Sequence, residues 1–196
     1  MNLRRVRVAN AAGFADAPVY DRVAQGLHWL VVGLVAIVIG LGLAMTAAPR
    51  GSVPRETLLL LHRSVGLTIL AAMLLRLGWR LGHPPPPLPA SVAPFERAAA
   101  HANHYLLYAI LIAMPLAGYV NAAAAGHRVS FFGFVAIPPL LSENGRLAQQ
   151  AIAAHLVGQY LVYLFIALHV AGALYHLAVK RDTVFARMLP RRPLRQ

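Results

Sequence analysis

The fold is decided by residues 150–180, which read QAIAAHLVGQYLVYLFIALHVAGALYHLAVK. These are about 30 almost purely apolar residues, enough to cross a bilayer as one helix. His155 and His169 interrupt the run. At about 100° per residue, their spacing returns to within about 40° of the same helix face, about 21 Å farther along the axis. One face of this helix therefore offers one imidazole near each side of a membrane.

The composition indicates an integral membrane protein. Of the 196 residues, 59% are hydrophobic and 12% are charged, whereas a soluble domain carries about 25% charged residues. The chain has nine histidines and no cysteine, which excludes disulfides, thiolate metal sites, iron–sulfur clusters and covalent c-type haem. The net charge of +12 comes from basic residues that flank apolar segments, which predicts contact with membrane lipid and argues against nucleic acid.

Four apolar segments predict four transmembrane helices in a single domain covering residues 1–196. They span about residues 23–47, 57–81, 100–125 and 150–179. The proline-rich stretch HPPPPLPASVAP (83–94) is expected to be an exposed, non-helical connection, and Pro115 predicts a kink in the third helix. The connection over residues 126–146 is too interrupted for a fifth span and is expected to lie along the membrane surface.

The distribution of basic residues predicts the orientation. Thirteen of the 18 Lys and Arg residues lie in the two tails and the second connection. The other five are Arg50, Arg55, Arg63, Arg128 and Arg146. The positive-inside rule then places both termini of a multi-pass membrane protein in the cytoplasm, with the N-terminal tail as a cytoplasmic segment and not a signal peptide. The five outer arginines would attract a small anion, or are ordinary loop residues.

Depth along the helices sorts four histidines into two pairs. With this topology His28 and His169 lie in the cytoplasmic half, whereas His62 and His155 lie in the outer half. Two neutral imidazoles from different helices at one depth suit axial ligation of a haem iron, and bis-histidine ligation favours electron transfer. The alternative is that they are buried polar residues that hydrogen-bond between helices. We interpret the two pairs as ligands of two haem groups.

Four further residues are secondary candidates. His101 and His104 lie one turn apart at the cytoplasmic mouth of the third segment; they could replace a ligand of the cytoplasmic haem, contact haem propionates or quinone, or simply be solvated. His176 could be a propionate partner or a proton relay, or be solvated. Arg63 follows a proposed ligand and could pair with a propionate on the outer side or extend to the interface.

Four stretches of the sequence resemble the bacterial cytochrome b561 family. They are YDRVAQGLHWLVVGLVAIVIGLGLAM, LLHRSVGLTILAAMLLRLGWRL before the prolines, HANHYLLYAILIAMPLAGY, and AAHLVGQYLVYLFIALHVAGALYH with the basic RMLPRR tail. The resemblance covers about residues 20–192, in order. It implies an all-α integral membrane four-helix bundle with two haem b groups, in a multi-pass protein of the bacterial inner membrane. It also implies His28 with His169 as ligands of the cytoplasmic haem, and His62 with His155 as ligands of the periplasmic haem.

The resemblance also implies a function. Stand-alone members of the family exchange electrons with ubiquinone, and one group acts as superoxide oxidase, oxidising superoxide at the periplasmic side. On this interpretation the protein is a superoxide:ubiquinone oxidoreductase that needs no protein partner and no catalytic side chain. One alternative is the membrane cytochrome b relay subunit of a hydrogenase or dehydrogenase complex, and another is a haem-free four-helix membrane protein.

Overall fold

Four long helices dominate residues 18–189, the part of the chain that the computed structural model describes. They are α1 (Arg22–Ala47), α2 (Val53–Gly82), α3 (Pro94–Ala124) and α4 (Gly145–Tyr175). Each is long and apolar enough to cross a membrane; even α1, with 26 residues, is about 39 Å long against a hydrocarbon core of about 30 Å. The predicted all-α, four-helix membrane architecture is therefore confirmed.

Three helices begin earlier than the apolar segments predict, and the first of them is α2, which begins at Val53 and not near residue 57. α3 begins at Pro94, not near residue 100, and α4 begins at Gly145, not near residue 150. Polar caps account for the added turns: Asn144 accepts a hydrogen bond from the Leu147 N–H at 3.0 Å, and Glu96 accepts one from the backbone N–H just before α3 at 2.9 Å. The expectation that the proline-rich stretch is non-helical to its end is wrong at Pro94, because proline is well accommodated in the first helical turn.

Pro115 lies inside α3 without ending the helix. Proline has no N–H, so the carbonyl one turn earlier, on Leu111, loses its helical partner. The kink predicted at this position stays a prediction.

A small β-hairpin occupies the connection between α3 and α4. Its antiparallel strands are β1 (Val129–Phe131) and β2 (Val135–Ile137). Ser64 of α2, which is fully buried, fixes the hairpin: its hydroxyl accepts a hydrogen bond from the Phe132 N–H at 2.8 Å and donates to the Leu60 carbonyl at 2.8 Å. Within the described residues this connection adds no fifth long helix, and its predicted position on the membrane surface stays a prediction.

The helices pack as a chain of neighbours. α1 packs on α2, α2 on α3, and α3 on α4. Val31 and Val35 of α1 form a buried core with Val65 and Ile69 of α2. In the part of the chain that the structure describes, α4 makes close backbone contact chiefly with α3, which leaves a gap between α4 and the α1–α2 pair.

Both described ends of the chain meet at one end of the bundle. The buried Arg187 offers its carbonyl to the Tyr20 N–H at 3.3 Å and to the Gln25 side chain at 3.2 Å. Its guanidinium donates to the Pro87 carbonyl at 2.6 Å. We name this end the tail end and the opposite one, with the β-hairpin, the hairpin end.

Candidate functional site

Two imidazole pairs face each other across the gap, one toward each end of the bundle. The ring centroids of His28 and His169 are 6.1 Å apart, and those of His62 and His155 are also 6.1 Å apart. In both pairs one imidazole comes from α4 and the other from α1 or α2, which are the helices across the gap. The structure therefore brings together the two pairs expected from depth along the helices, while their role as ligands stays a prediction.

The separation of the rings fits a metal between them. A metal–nitrogen bond is about 2 Å long and an imidazole centroid lies roughly 1 Å behind its nitrogen, so two imidazoles on opposite sides of one metal have centroids about 6 Å apart. Both observed distances are 6.1 Å. The rings of each pair are thus placed for axial ligation of one iron from both sides.

The hairpin-end pair has one ring nitrogen of each histidine already engaged. The Nδ1 atom of His62 lies 3.1 Å from the Val38 carbonyl oxygen, and that of His155 lies 3.0 Å from the Met114 carbonyl oxygen. A carbonyl oxygen only accepts, so each Nδ1 must carry the proton and each Nε2 keeps a free lone pair. Metal-ligating histidines usually make this second bond, which fixes the tautomer and the ring orientation.

Two glycines make room for the same two rings. A Cβ atom on Gly42 would lie 3.3 Å from Cε1 of His62, and one on Gly118 would lie 3.5 Å from Cε1 of His155. Gly42 stands one helical turn after Val38, and Gly118 stands one turn after Met114. One face of each helix therefore provides both the carbonyl that accepts the hydrogen bond and the space for the ring. Sequence analysis missed both glycines, although they stand at the same distance after His28 and His104.

A cavity of about 500 Å³ lies at the hairpin-end pair. His62, His155 and Arg63 line it together with apolar side chains such as Leu67. This volume is in the range of sites for organic ligands and cofactors. The cavity, the ring separation and the engaged Nδ1 atoms all fit a haem held between the two histidines, with Arg63 as a cation in its wall.

The tail-end pair is surrounded differently. The Nδ1 atom of His28 is buried and has no hydrogen-bond partner among the described residues. A third imidazole, that of His104, lies 5.4 Å from the ring of His169, whereas His101 is exposed and lies beside Tyr105. His104 and His169 stand on neighbouring helices that pack on each other, and their rings are closer than the about 6 Å expected across a shared metal, so the spacing of His28 fits better.

His176 lies in a separate polar cluster. The last turn of α4 continues into a π-helical turn, His176–Lys180. The Nδ1 atom of His176 lies 2.6 Å from the Asp182 carboxylate, and Lys180 forms an ion pair with Glu96 of α3 at 2.9 Å. The predicted role of His176 as propionate partner or proton relay stays a prediction.

At the tail end Asp21 is held as a carboxylate. It accepts hydrogen bonds from the backbone N–H groups of Ala24 and Val23 and from the Trp79 indole. These bonds, with that from Ala24 the strongest, lower the pKa of the Asp21 carboxyl below its usual 3.8. The neighbouring Tyr20 has its pKa raised by burial.

The five arginines predicted for the outer side have different surroundings. Arg55 donates to the carbonyls of Met45 and Ala48 at 2.6 and 3.1 Å, so it caps the end of α1. Arg63 lines the cavity. The three exposed arginines are Arg50, Arg128 and Arg146.

A helical membrane bundle with imidazole pairs facing each other across a gap belongs to the class of membrane proteins that can hold haem b. The chain belongs to the prokaryotic cytochrome b561 family, whose match covers residues 19–191. The resemblance drawn from the sequence is thus confirmed. Family membership makes this chain a multi-pass membrane protein of electron transfer that binds b-type haem.

Three relatives match most of the chain. Cytochrome b561 homolog 2 of Escherichia coli K12 is 33% identical over 171 residues, covering 87% of this chain and 90% of the relative. The protein named probable superoxide oxidase CybB of Yersinia pestis is 32% identical over 173 residues, covering 88% and 97%. Cytochrome b561 homolog 1 of Escherichia coli K12 is 29% identical over 170 residues, covering 85% and 94%.

Proposed function

We propose that this protein is a superoxide:ubiquinone oxidoreductase of the bacterial inner membrane that holds two haem b groups. One haem lies between His28 and His169 at the tail end, and the other lies between His62 and His155 at the hairpin end. The observation that carries the proposal is that the two imidazole rings of each pair face each other with their centroids 6.1 Å apart. The substrate is suggested by the relative named probable superoxide oxidase, which this chain covers over 97% of its length.

The orientation follows from the charges. Both termini lie in the cytoplasm, so the tail-end haem is near the cytoplasm and the hairpin end faces outward. Contact between Tyr20 and Arg187 supports a common side for the two ends of the chain.

Haem b, when bound, would supply a one-electron carrier at each end of the bundle. Two superoxide anions are oxidised to O₂, and their two electrons, together with two protons, reduce one ubiquinone to ubiquinol. The chain's own part is to hold and insulate the carriers. His62 and His155 each keep a proton on Nδ1, donated to a backbone carbonyl, and would use Nε2 to hold the haem iron. The apolar walls of the cavity exclude water.

The exposed cations of the hairpin end attract the substrate. Arg50, Arg128 and Arg146 are exposed, and the acidic residues on that side are Glu56 and Glu143. An excess of positive charge raises the encounter rate of a small anion in a salt-dependent way. Arg55 contributes less, because its guanidinium is engaged by the carbonyls at the end of α1.

One observation favours a second candidate function, that of an electron-relay subunit for a soluble dehydrogenase. Phe134, at the tip of the β-hairpin, is 91% exposed, and Ser64 holds the hairpin firmly on α2. A fixed, exposed aromatic side chain suits a protein partner as well as a membrane surface.

The test is rapid mixing of the purified, oxidised protein with superoxide, with and without ubiquinone. The proposal expects haem reduction within the mixing experiment and ubiquinol formation only when ubiquinone is present. Haem that does not respond to superoxide would favour the relay subunit, and a preparation that takes up no haem on reconstitution would contradict the proposal.

Ligand variants assign the two haems. His62→Ala or His155→Ala should lower the haem content from two per chain to one and abolish the reaction with superoxide. His169→Ala should remove the other haem, whereas His101→Ala, at an exposed position, should keep both. Full occupancy of both haems in His62→Ala with His155→Ala would contradict the assigned pairs.

A further inference from the structure

The two helix hairpins, α1–α2 and α3–α4, hold their outer histidines in the same way. His62 of α2 lies against Val38 and Gly42 of α1, with a nitrogen–oxygen distance of 3.1 Å. His155 of α4 lies in the same way against α3, at 3.0 Å from the carbonyl that stands one turn before its glycine. The hydrogen bond, the glycine and the ring position all recur, so the two hairpins share one design.

These contacts align the residues of the two helix hairpins with each other, and no residue of the tail end is used in the alignment. When Gly42 of α1 is aligned with Gly118 of α3, His28 and His104 occupy corresponding positions. When His62 of α2 is aligned with His155 of α4, Arg76 corresponds to His169 and His83 corresponds to His176. Two of these three tail-end matches join histidine with histidine. At the third, the first hairpin has an arginine where the second has a proposed haem ligand.

The packing of the helices explains why position 76, unlike position 169, does not need a haem ligand. The tail-end pair, His28 with His169, spans the gap between α1 and α4. Its counterpart would join His104 of α3 to position 76 of α2, but α2 and α3 pack directly against each other. The Tyr108 ring of α3, one turn after His104, lies 5.5 Å from the Arg76 guanidinium, so an aromatic side chain occupies the space that a macrocycle beside position 76 would need.

Arg76 is a half-buried cation beside the proposed ligands. Its guanidinium lies 5.5 Å from the centroid of the Tyr108 ring, and the ion pairs among the described residues do not include it. On α2 it lies between His62, which faces Val38 of α1, and Trp79, which contacts Asp21 at the start of α1, so position 76 is within about one helical turn of the level of His28. Arg80, one turn later, also lies 5.5 Å from the Tyr108 ring but is one turn farther from the level of His28.

We propose that the bundle is built from two similar helix hairpins, and that Arg76, which stands in the first at the position that His169 holds in the second, is a positioning residue that raises the reduction potential of the tail-end haem. The proposal rests on the proposed function, which places that haem between His28 and His169. A fixed positive charge in a membrane interior disfavours the oxidised haem, which carries one more positive charge than the reduced form. Electrons that enter at the hairpin end are thereby drawn toward the tail end.

The test is a potentiometric titration of the full-length dihaem protein, followed by visible spectra, for Arg76→Gln, Arg76→Lys and Arg80→Gln. The tail-end haem is identified as the one that His169→Ala removes. In Arg76→Gln both haems should remain, and the ratio of oxidised to reduced tail-end haem at a fixed potential should rise about tenfold, which is a downward shift of about 59 mV for one electron. Arg76→Lys keeps the charge and should restore the wild-type value, and Arg80→Gln should change the ratio by less than threefold.

Each other result overturns the proposal. An unchanged titration in Arg76→Gln would show that the charge does not act on the haem, and equal shifts in Arg76→Gln and Arg80→Gln would show a general surface effect. Loss of the haem in Arg76→Gln, or failure of lysine to restore the potential, would give Arg76 a purely structural role. Failure of the proposed function is seen separately, as a His169→Ala variant that keeps two haems per chain.

Discussion

Gly42 offers a direct test of how the hairpin-end site holds its histidine. Replacing Gly42 by alanine puts a methyl group 3.3 Å from Cε1 of His62, whereas carbon atoms pack best at about 3.5–4.0 Å. The His62 ring must therefore move by a few tenths of an ångström, away from the helix whose Val38 carbonyl holds its Nδ1 at 3.1 Å. A leucine at the same position would fill the space of the ring itself.

The expected effect is a graded loss of haem from the hairpin end. Disturbing the hydrogen bond behind a metal-ligating histidine typically weakens binding by 10–100-fold, about 1.4–2.7 kcal/mol. We expect about tenfold weaker retention in Gly42→Ala and loss of the hairpin-end haem in Gly42→Leu. Gly118→Ala should have a smaller effect than Gly42→Ala, because its methyl group would lie at an ordinary contact distance of 3.5 Å from the His155 ring.

The assay is the haem-to-protein ratio of purified variants, with the visible spectrum to show which haem is lost. Gly40→Leu is the matched control, because a Cβ atom at Gly40 has nothing within 4 Å. Retention of the tail-end haem in Gly42→Leu shows that the bundle still folds. Two haems at full occupancy in Gly42→Leu, or equal losses in Gly42→Leu and Gly40→Leu, would refute the reasoning.

Three further predictions concern the contacts that hold the ends of the bundle. Ser64→Ala leaves the β-hairpin without its buried hydroxyl partner, so hydrogen exchange in residues 126–144 should rise about 5–150-fold, equivalent to about 1–3 kcal/mol. Arg187→Ala removes a buried guanidinium bonded to the Pro87 carbonyl and should lower the free energy of unfolding by about 1.5–3 kcal/mol in detergent. Asp21→Ala removes the cap of α1 and the Trp79 contact and should lower the free energy of unfolding by about 1 kcal/mol near neutral pH. Since the pKa of Asp21 is lowered, its contribution to stability is present above the usual pKa of 3.8 and is lost as the pH falls through the lowered pKa.

Each of these three has its own control. Thr57→Ala, on the exposed surface of the same helix as Ser64, should leave hydrogen exchange in the hairpin unchanged. Arg50→Ala, which removes an exposed arginine, should leave the unfolding temperature within error of the wild type. A destabilisation by Asp21→Ala that stays constant down to about pH 2 would show that the carboxylate charge is not its source.

The sequence by itself determined the four spans and the two levels of histidine. Both follow from local properties: an apolar run of bilayer length forms a helix, and the helical period places His155 and His169 on one face at different depths. The secondary candidates were not resolved in this way, since His101 and His104 are one turn apart and look alike. The structure leaves His101 exposed and brings His104 to 5.4 Å from His169.

Only the tertiary structure decided the gap between α4 and the α1–α2 pair, the Val38 and Met114 carbonyls that face the two imidazoles, and the glycines beside them. It also placed the Tyr108 ring 5.5 Å from the Arg76 guanidinium, in the space that a haem beside position 76 would need. The physical reason is that contacts between helices depend on how all four pack together, on their order, rotation and axial offset. A hydropathy pattern records where each helix runs but carries no information about which face meets which neighbour.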